Sequence, residues 1–138
     1  MHISVYTDGG ARGNPGPSGY GLVILDENNN LIFQDSKFLG IKTNNEAEYS
    51  ALIGALSWIK ANRDAYNIQK ISFCSDSQLL VRQVQGQYKV KAQNLKDFYR
   101  TVINLLQDIA LPYSFQDIRR ELNQKADELA NQAMDRQC

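Results

Sequence analysis

The order of apolar patterns along the chain constrains its fold most strongly. Three strand-like segments come first, at residues 3–7, 21–25 and 31–38. Helical and strand-like patterns then alternate, as helix 44–63, strand 70–75, helices 77–84 and 93–109, strand 113–119 and helix 123–134. This βββαβααβα order predicts an α/β fold, because strands joined through helices pair in parallel whereas an opening meander pairs antiparallel.

Local signals refine two boundaries. Gly9 and Gly10, with the turn-rich run 13–17, predict that the first strand ends in a long loop. Asn44 or Asn45 can cap the first helix, since short polar side chains accept hydrogen bonds from the free N–H groups of a first turn.

Length and composition exclude several classes of protein. The chain has 138 residues, with 15 basic and 15 acidic side chains. We predict a single domain over residues 1–138. The zero net charge argues against coating nucleic acid by bulk electrostatics. No apolar run could cross a membrane, no secretory signal is visible, and the two cysteines do not form a disulfide framework. These features predict a cytoplasmic protein with inert thiols.

Two acidic residues follow two strand patterns. Asp8 comes directly after the first strand, and Asp76 after the fourth. Ligands of open α/β sheets bind at the carboxyl ends of strands, so these carboxylates converge if the two strands are neighbours. The alternative is that each acid only caps a helix or a loop.

Glu48 is a carboxylate on an apolar helix face. Helical spacing puts it beside the apolar residues 51, 52, 55, 56 and 59, and no basic residue lies within one turn. Asp127 repeats this pattern more weakly in the last helix. Converging carboxylates need a cation, and hard oxygen ligands select Mg²⁺ or Mn²⁺ over zinc. Such sites are typical of phosphodiester hydrolysis.

Four segments resemble the motifs of the type 1 ribonuclease H family: YTDGGARGNPGPSGYG, TNNEAEYSALIGAL, CSDSQLLVRQVQG and RRELNQKADELAN. Their order matches the family, and together they extend over nearly the whole chain. The resemblance implies a ribonuclease H-like fold, with a five-stranded mixed sheet flanked by helices. Its first three strands are antiparallel, and the fourth and fifth are parallel.

The resemblance also implies a catalytic and metal-binding set, which consists of Asp8, Glu48, Asp76 and Asp127. Two Mg²⁺ ions, with Mn²⁺ as the alternative, would bind between them when substrate is present. The implied reaction is endonucleolytic hydrolysis of the RNA strand of an RNA/DNA hybrid. It leaves a 5′-phosphate and a 3′-hydroxyl.

Substrate contacts are implied by matching positions. The residues that match family contacts to sugars or base edges are Asn14, Asn44, Asn45 and Gln78. Thr43 matches a position that helps to hold a DNA-strand phosphate, although Ile41 stands where the family usually has arginine. The minor groove is the expected surface, because the 2′-hydroxyls of RNA are displayed there. The alternative roles are turn formation for Asn14 and helix capping for Asn44 or Asn45.

Two departures from the family pattern affect substrate binding and product release. Residues 86–92 leave no room for the basic insertion of many family members, although Lys89 and Lys91 keep this region basic. A solvated helix face explains these lysines equally well. Arg120 and Glu121 stand where a histidine-bearing loop is usual, and we hypothesise that one of them takes over its role in product release.

Three functions remain open from the sequence. The first is a metal-dependent ribonuclease H that acts on RNA/DNA hybrids. The second is a catalytically weak or silent nucleic-acid-binding module of the same fold, and the third is a nuclease of relaxed specificity that also cuts double-stranded RNA. Retention of all four acids favours the first. We expect a monomer that has no obligate protein partner and does not bind a membrane.

Overall fold

The computed structural model describes residues 1–137, which form one five-stranded sheet with helices on both faces. The strands are β1 (His2–Ala11), β2 (Gly16–Leu25), β3 (Leu31–Lys42), β4 (Lys70–Ser75) and β5 (Tyr113–Asp117). The helices are α1 (Asn44–Asn62), α2 (Gln78–Val84), α3 (Gln93–Ile109) and α4 (Gln124–Arg136), and a 3₁₀ turn at Arg120–Leu122 precedes α4. Cys138 lies outside the described residues.

The strand order is β3-β2-β1-β4-β5. β1 and β2 pair antiparallel, as do β2 and β3, whereas β4 is parallel to β1 and β5 is parallel to β4. The predicted mixed sheet is therefore confirmed. β1 occupies the centre of the sheet and pairs with both neighbours as far as Thr7, beyond which it pairs with β2 alone.

Two layers of helix bury the sheet. On one face, α1 packs on β1 and β2 through its small apolar residues, and α3 packs on α1. On the other face, α4 crosses β2 where Gly19 and Gly21 leave space for Ala126 and Ala133. Close helix packing fixes the positions of α1 and α4 relative to the end of β1.

β1 differs from its predicted length. Gly9 and Gly10 do not end the strand, because they remain paired with Tyr20 and Gly19 of β2. The predicted long loop is therefore reduced to residues 12–15. Pairing with a neighbouring strand outweighs the weak local preference of glycine. Gly9 is required for another reason, since a Cβ atom there would lie 2.3 Å from the carbonyl carbon of Ala47 in α1.

Helix α1 begins one residue earlier than the predicted caps allow. Its N-cap is Thr43, whose Oγ1 accepts a hydrogen bond from the Glu46 backbone N–H, while the Glu46 carboxylate accepts one from the Thr43 N–H. This reciprocal capping box satisfies two free donors. Asn44 and Asn45 are therefore not caps, and the prediction was wrong at this point.

Substitution of the adjacent glycines tests the close approach of α1. We expect Gly9→Ala to lower the free energy of unfolding by about 1–3 kcal/mol, because the added methyl group overlaps the α1 backbone. Gly10→Ala is the matched control, since its Cβ atom would meet nothing closer than 3.9 Å. Urea titration measures both variants, and equal losses of stability would contradict the packing argument.

Candidate active site

Asp8 and Asp76 lie side by side where the parallel pairing of β1 and β4 ends. Thr7 and Ser75 are the last paired residues of the parallel β1 and β4, and each acid directly follows one of them. The neighbouring strands thus bring the two carboxylates together, as the sequence predicted. Asp76 does not cap α2, because the N-cap is Ser77, whose Oγ accepts a hydrogen bond from the Leu80 N–H.

Glu48 reaches the same region from α1. Its side chain is only 8% exposed, and its Oε1 accepts a 2.9 Å hydrogen bond from the Gly9 N–H. The other oxygen, Oε2, is buried without a hydrogen-bond partner in the described residues. The predicted acid on an apolar helix face therefore points into the site and not into the core.

Three carboxylates form a tight cluster. Asp8, Glu48 and Asp76 each offer an oxygen, and these three atoms lie within 4.8 Å of one another. Asp127 lines the same cleft from α4 but does not belong to this group of three. The structure thus brings all four predicted acids to one cleft, and oxygens of three of them to within 4.8 Å of one another.

The start of α4 is attached to β1. The Asn123 amide donates a 2.8 Å hydrogen bond to the Thr7 carbonyl, and the Asp127 N–H donates to the Asn123 carbonyl. Asn123 is almost fully buried. These contacts place the first turn of α4, and with it Asp127, beside the residue that precedes Asp8.

The electrostatics of the cluster favour protons or cations. Burial raises the pKa of Asp8 well above its ordinary value, and the neighbouring charges of Glu48 and Asp76 raise it further. Burial likewise raises the pKa of Glu48, although the Gly9 hydrogen bond opposes this. For Asp76, burial raises the pKa and the Arg120 guanidinium, whose Nε lies 3.8 Å from Oδ2, lowers it.

These residues fit a divalent cation. Glu48 Oε2 and Asp76 Oδ2 are both buried oxygens without hydrogen-bond partners in the described residues. Converging carboxylate oxygens are the ligands that hard divalent ions prefer, and the Arg120 guanidinium, 3.8 Å from Asp76 Oδ2, lies beyond hydrogen-bond distance of them. A bound cation would remove both the repulsion and the unsatisfied oxygens.

The cleft has a volume of about 500 Å³. Besides the four acids, it is lined by polar and basic side chains from the β1–β2 loop, α1, the N-cap of α2, α4 and the 3₁₀ turn, namely Arg12, Asn44, Asn45, Ser77, Arg120 and Asn131. Asn44 and Asn45 were predicted as substrate contacts and Arg120 as a loop residue. Sequence patterns did not identify Arg12, Ser77 or Asn131 as site residues. Arg12 was marked only by its position inside the segment YTDGGARGNPGPSGYG.

The other predicted substrate residues lie around this cleft. Asn14 is exposed and its Oδ1 accepts a hydrogen bond from the Asn44 N–H. Gln78 is exposed at the first turn of α2 but does not line the cleft. The Thr43 hydroxyl is engaged in the capping box, and Ile41 nearby is 65% exposed.

The basic residues of the segment 86–92 lie apart from the four acids of the cleft. Lys89 and Lys91 are exposed and do not line the cleft. Arg82 lies over the ring of Tyr88, with 5.6 Å from its Cζ to the ring centroid. Glu121 is exposed and outside the cleft lining, in contrast to the neighbouring Arg120.

The sheet order and the carboxylate cluster together define a ribonuclease H-like protein. A family model described as "Reverse transcriptase-like" matches residues 6–133. The solved structure of LC11-RNase H1 in complex with an RNA/DNA hybrid is 44% identical and has a TM-score of 0.92, with 97% of both chains covered. RNase H1 from the archaeon Halobacterium salinarum is 32% identical with a TM-score of 0.89, and 99% of both chains are covered.

Two curated relatives are longer than this chain. The bifunctional protein Rv2228c of Mycobacterium tuberculosis is 38% identical over 143 residues, which cover 98% of this chain but 36% of that protein. Ribonuclease HI of Halobacterium salinarum is 34% identical, and the match covers 96% of this chain and 64% of that protein. The chain therefore belongs to the Reverse transcriptase-like family and, within it, to the type 1 ribonuclease H proteins.

Removal of one charge from the cluster is expected to stabilise the metal-free protein. The raised pKa of Asp8 means that the folded state holds a proton that the unfolded chain has released, so unfolding free energy falls as pH rises above about 4. At pH 8 we expect Asp8→Asn to raise it by about 1–3 kcal/mol. Near pH 3 the difference between variant and wild type disappears.

Urea titration in a chelator measures this difference, and Asp64→Asn is the control because that side chain is 97% exposed. Millimolar Mg²⁺ should then stabilise the wild type more than Asp8→Asn. A variant less stable than the wild type at pH 8 without metal would contradict the electrostatic argument.

Proposed function

We propose that this chain is a metal-dependent endonuclease that hydrolyses the RNA strand of RNA/DNA hybrids. The observation that carries the proposal is the convergence of two buried carboxylates and one partly buried carboxylate, with two oxygens that lack hydrogen-bond partners in the described residues. The similarity over 97% of LC11-RNase H1, which is described in complex with an RNA/DNA hybrid, supports the substrate. The products would carry a 5′-phosphate and a 3′-hydroxyl.

We propose Asp8, Glu48, Asp76 and Asp127 as the metal ligands. Two Mg²⁺ ions, with Mn²⁺ as the alternative, would lower the pKa of the attacking water and stabilise charge on the phosphate oxygens. Glu48 holds a fixed orientation because the Gly9 N–H binds its Oε1 and leaves Oε2 for a cation. Asp8 is held within β1, where it pairs with Gly21 of β2, and Asp76 directly follows β4, so little reorganisation is needed on binding.

Substrate recognition is proposed for polar residues of the cleft rim. Asn44 Oδ1 accepts a 2.8 Å hydrogen bond from the Ala11 N–H, so its Nδ2, on an exposed residue, would be the group that donates to a ribose hydroxyl or a base edge. Asn14 and Asn45 are exposed beside it. Gln78 and Thr43 lie further out, as do Lys89 and Lys91, for which we propose phosphate contacts outside the cleft.

A comparison of four substrates tests the function. We expect cleavage of the RNA strand in RNA/DNA, and none in RNA/RNA, DNA/DNA or single-stranded RNA, with Mg²⁺ or Mn²⁺. Asp8→Asn should lower the rate by about 10³-fold, because one metal ligand loses its charge. Gel analysis of end-labelled strands identifies both rate and termini.

Each other outcome identifies a different function. Absence of cleavage with retained hybrid binding would indicate the silent module. Cleavage of RNA/RNA would indicate relaxed specificity, and full activity of Asp8→Asn would exclude the metal mechanism.

Arg120 is the stronger candidate for the role of the missing loop histidine. It lines the cleft and approaches Asp76 with a highly exposed side chain, whereas Glu121 does not line the cleft. We expect Arg120→Ala to lower kcat about tenfold with a smaller change in KM, and Glu121→Ala to retain wild-type turnover. Steady-state kinetics measure both. Unchanged turnover in both variants would contradict the hypothesis.

The organisation of residues 1–138 as a single domain, a monomeric state and a cytoplasmic location stay predictions. The free thiol of Cys74 suits a reducing compartment. Among residues 1–137, no helix combines the length and apolar character needed to span a bilayer. Sedimentation of the purified protein would determine its oligomeric state.

A further inference from the structure

Arg12 occupies the rim of the acidic cleft, where no role has been assigned to it. Its Nη1 forms a 2.6 Å ion pair with Asp135 of α4, and its Nη2 lies 3.5 Å from both the carbonyl and the side-chain oxygen of Asn131. The side chains of Arg12 and Asp135 are 45% and 65% exposed. An ion pair this exposed contributes little stability, so the guanidinium can exchange its partner at small cost.

The backbone that carries Arg12 is fixed. The Arg12 N–H donates a 2.8 Å hydrogen bond to the Pro17 carbonyl across the loop. On the preceding side, the Ala11 N–H donates to Asn44 Oδ1, and the Asn44 N–H donates to Asn14 Oδ1. These contacts attach the loop to the first turn of α1, so Arg12 can change partner through its side chain alone.

Helix α4 presents a row of polar side chains on the face that Arg12 contacts. Asp127, Asn131 and Asp135 are spaced by four residues and therefore share one helix face. Asn131 Nδ2 donates to the Asp127 carbonyl, so its Oδ1 is turned away from that bond and towards Arg12. Arg12 is thus held beside the helix that carries Asp127.

The charges that line the cleft indicate what kind of ligand Arg12 binds. Within residues 1–137, the cleft lining contains four acids and two basic side chains, Arg12 and Arg120. Divalent cations would neutralise the acids, so attraction for further anionic groups of a substrate must come from the two arginines. A guanidinium presents a fork of donors that matches phosphate oxygens.

We propose that Arg12 binds a phosphate of the RNA strand adjacent to the phosphate that is cut, and that Asp135 holds the guanidinium in position until substrate arrives. This inference rests on the proposed function. It adds a phosphate subsite to the cleft on the α4 side. The alternative is that the ion pair between the β1–β2 loop and α4 is purely structural.

Kinetics of Arg12→Ala, Arg12→Lys and Asp135→Asn on a short RNA/DNA hybrid test the proposal, with Arg63→Ala as the control because it loses an arginine of a surface ion pair with Asp64. We expect Arg12→Ala to raise KM about tenfold with nearly unchanged kcat, and Arg12→Lys to restore part of the loss. In Arg12→Ala, the slope of log affinity against log salt concentration should become shallower by about one unit. Asp135→Asn should raise KM less than Arg12→Ala does, because the guanidinium loses its positioning partner but keeps its charge.

Substitution of single RNA phosphates by uncharged methylphosphonates locates the contact. The wild type should lose affinity at one position next to the cut, and Arg12→Ala should be insensitive at that position. If Arg12→Ala and Asp135→Asn instead lower Tm equally while KM and the salt slope match those of Arg63→Ala, the ion pair is structural and the proposal is overturned.

Direct binding of the labelled hybrid separates this inference from the function on which it rests. A wild type that binds the hybrid but does not cut it would overturn the proposed activity, and the ratio of Arg12→Ala to wild-type affinity would still decide the role of Arg12. Equal affinities would overturn the Arg12 subsite whether or not the hybrid is cut.

Discussion

Repulsion among the carboxylates of Asp8, Glu48 and Asp76, the first two buried and the third partly buried, is the constraint around which this molecule is arranged. Burial and mutual charge raise the pKa of Asp8, so the cluster is unfavourable unless it holds protons or a cation. The surrounding structure offsets only part of this cost, through the Gly9 N–H and the guanidinium of Arg120. The scaffold must therefore be stable enough to hold the acids together by itself, and the central position of β1 between two strands supplies that rigidity.

Much of this arrangement could be predicted from the sequence. The strand and helix order follows from local periodicity, and it determines which strands must cross over through helices. Glu48 was identifiable because a charge on an apolar helix face conflicts with its surroundings, and such conflicts mark functional sites. Asp8 and Asp76 were identifiable because each follows a strand pattern directly. In all three cases the signal lies within a few residues of the acid.

The remainder depends on contacts between distant segments. β1 continues through its glycines because β2 pairs with them, which no property of residues 9 and 10 reveals. Thr43 and not Asn44 caps α1 because Glu46 completes a reciprocal pair, while Asn44 binds the Ala11 N–H of another element. Arg12 meets Asp135 only after α4 has packed on the sheet. Local patterns do not contain this information.

The hydrogen bond from Asn123 to the Thr7 carbonyl joins residues 116 positions apart in the chain. During synthesis the N-terminal strands leave the ribosome long before α4 exists. The cleft is therefore incomplete until α4 docks, because Asp127 lines it from that helix, whereas Asp8, Glu48 and Asp76 belong to segments that precede α4. The four-acid cleft therefore depends on a contact between residues 116 positions apart, so its formation reports the docking of α4 on the sheet and not local structure alone.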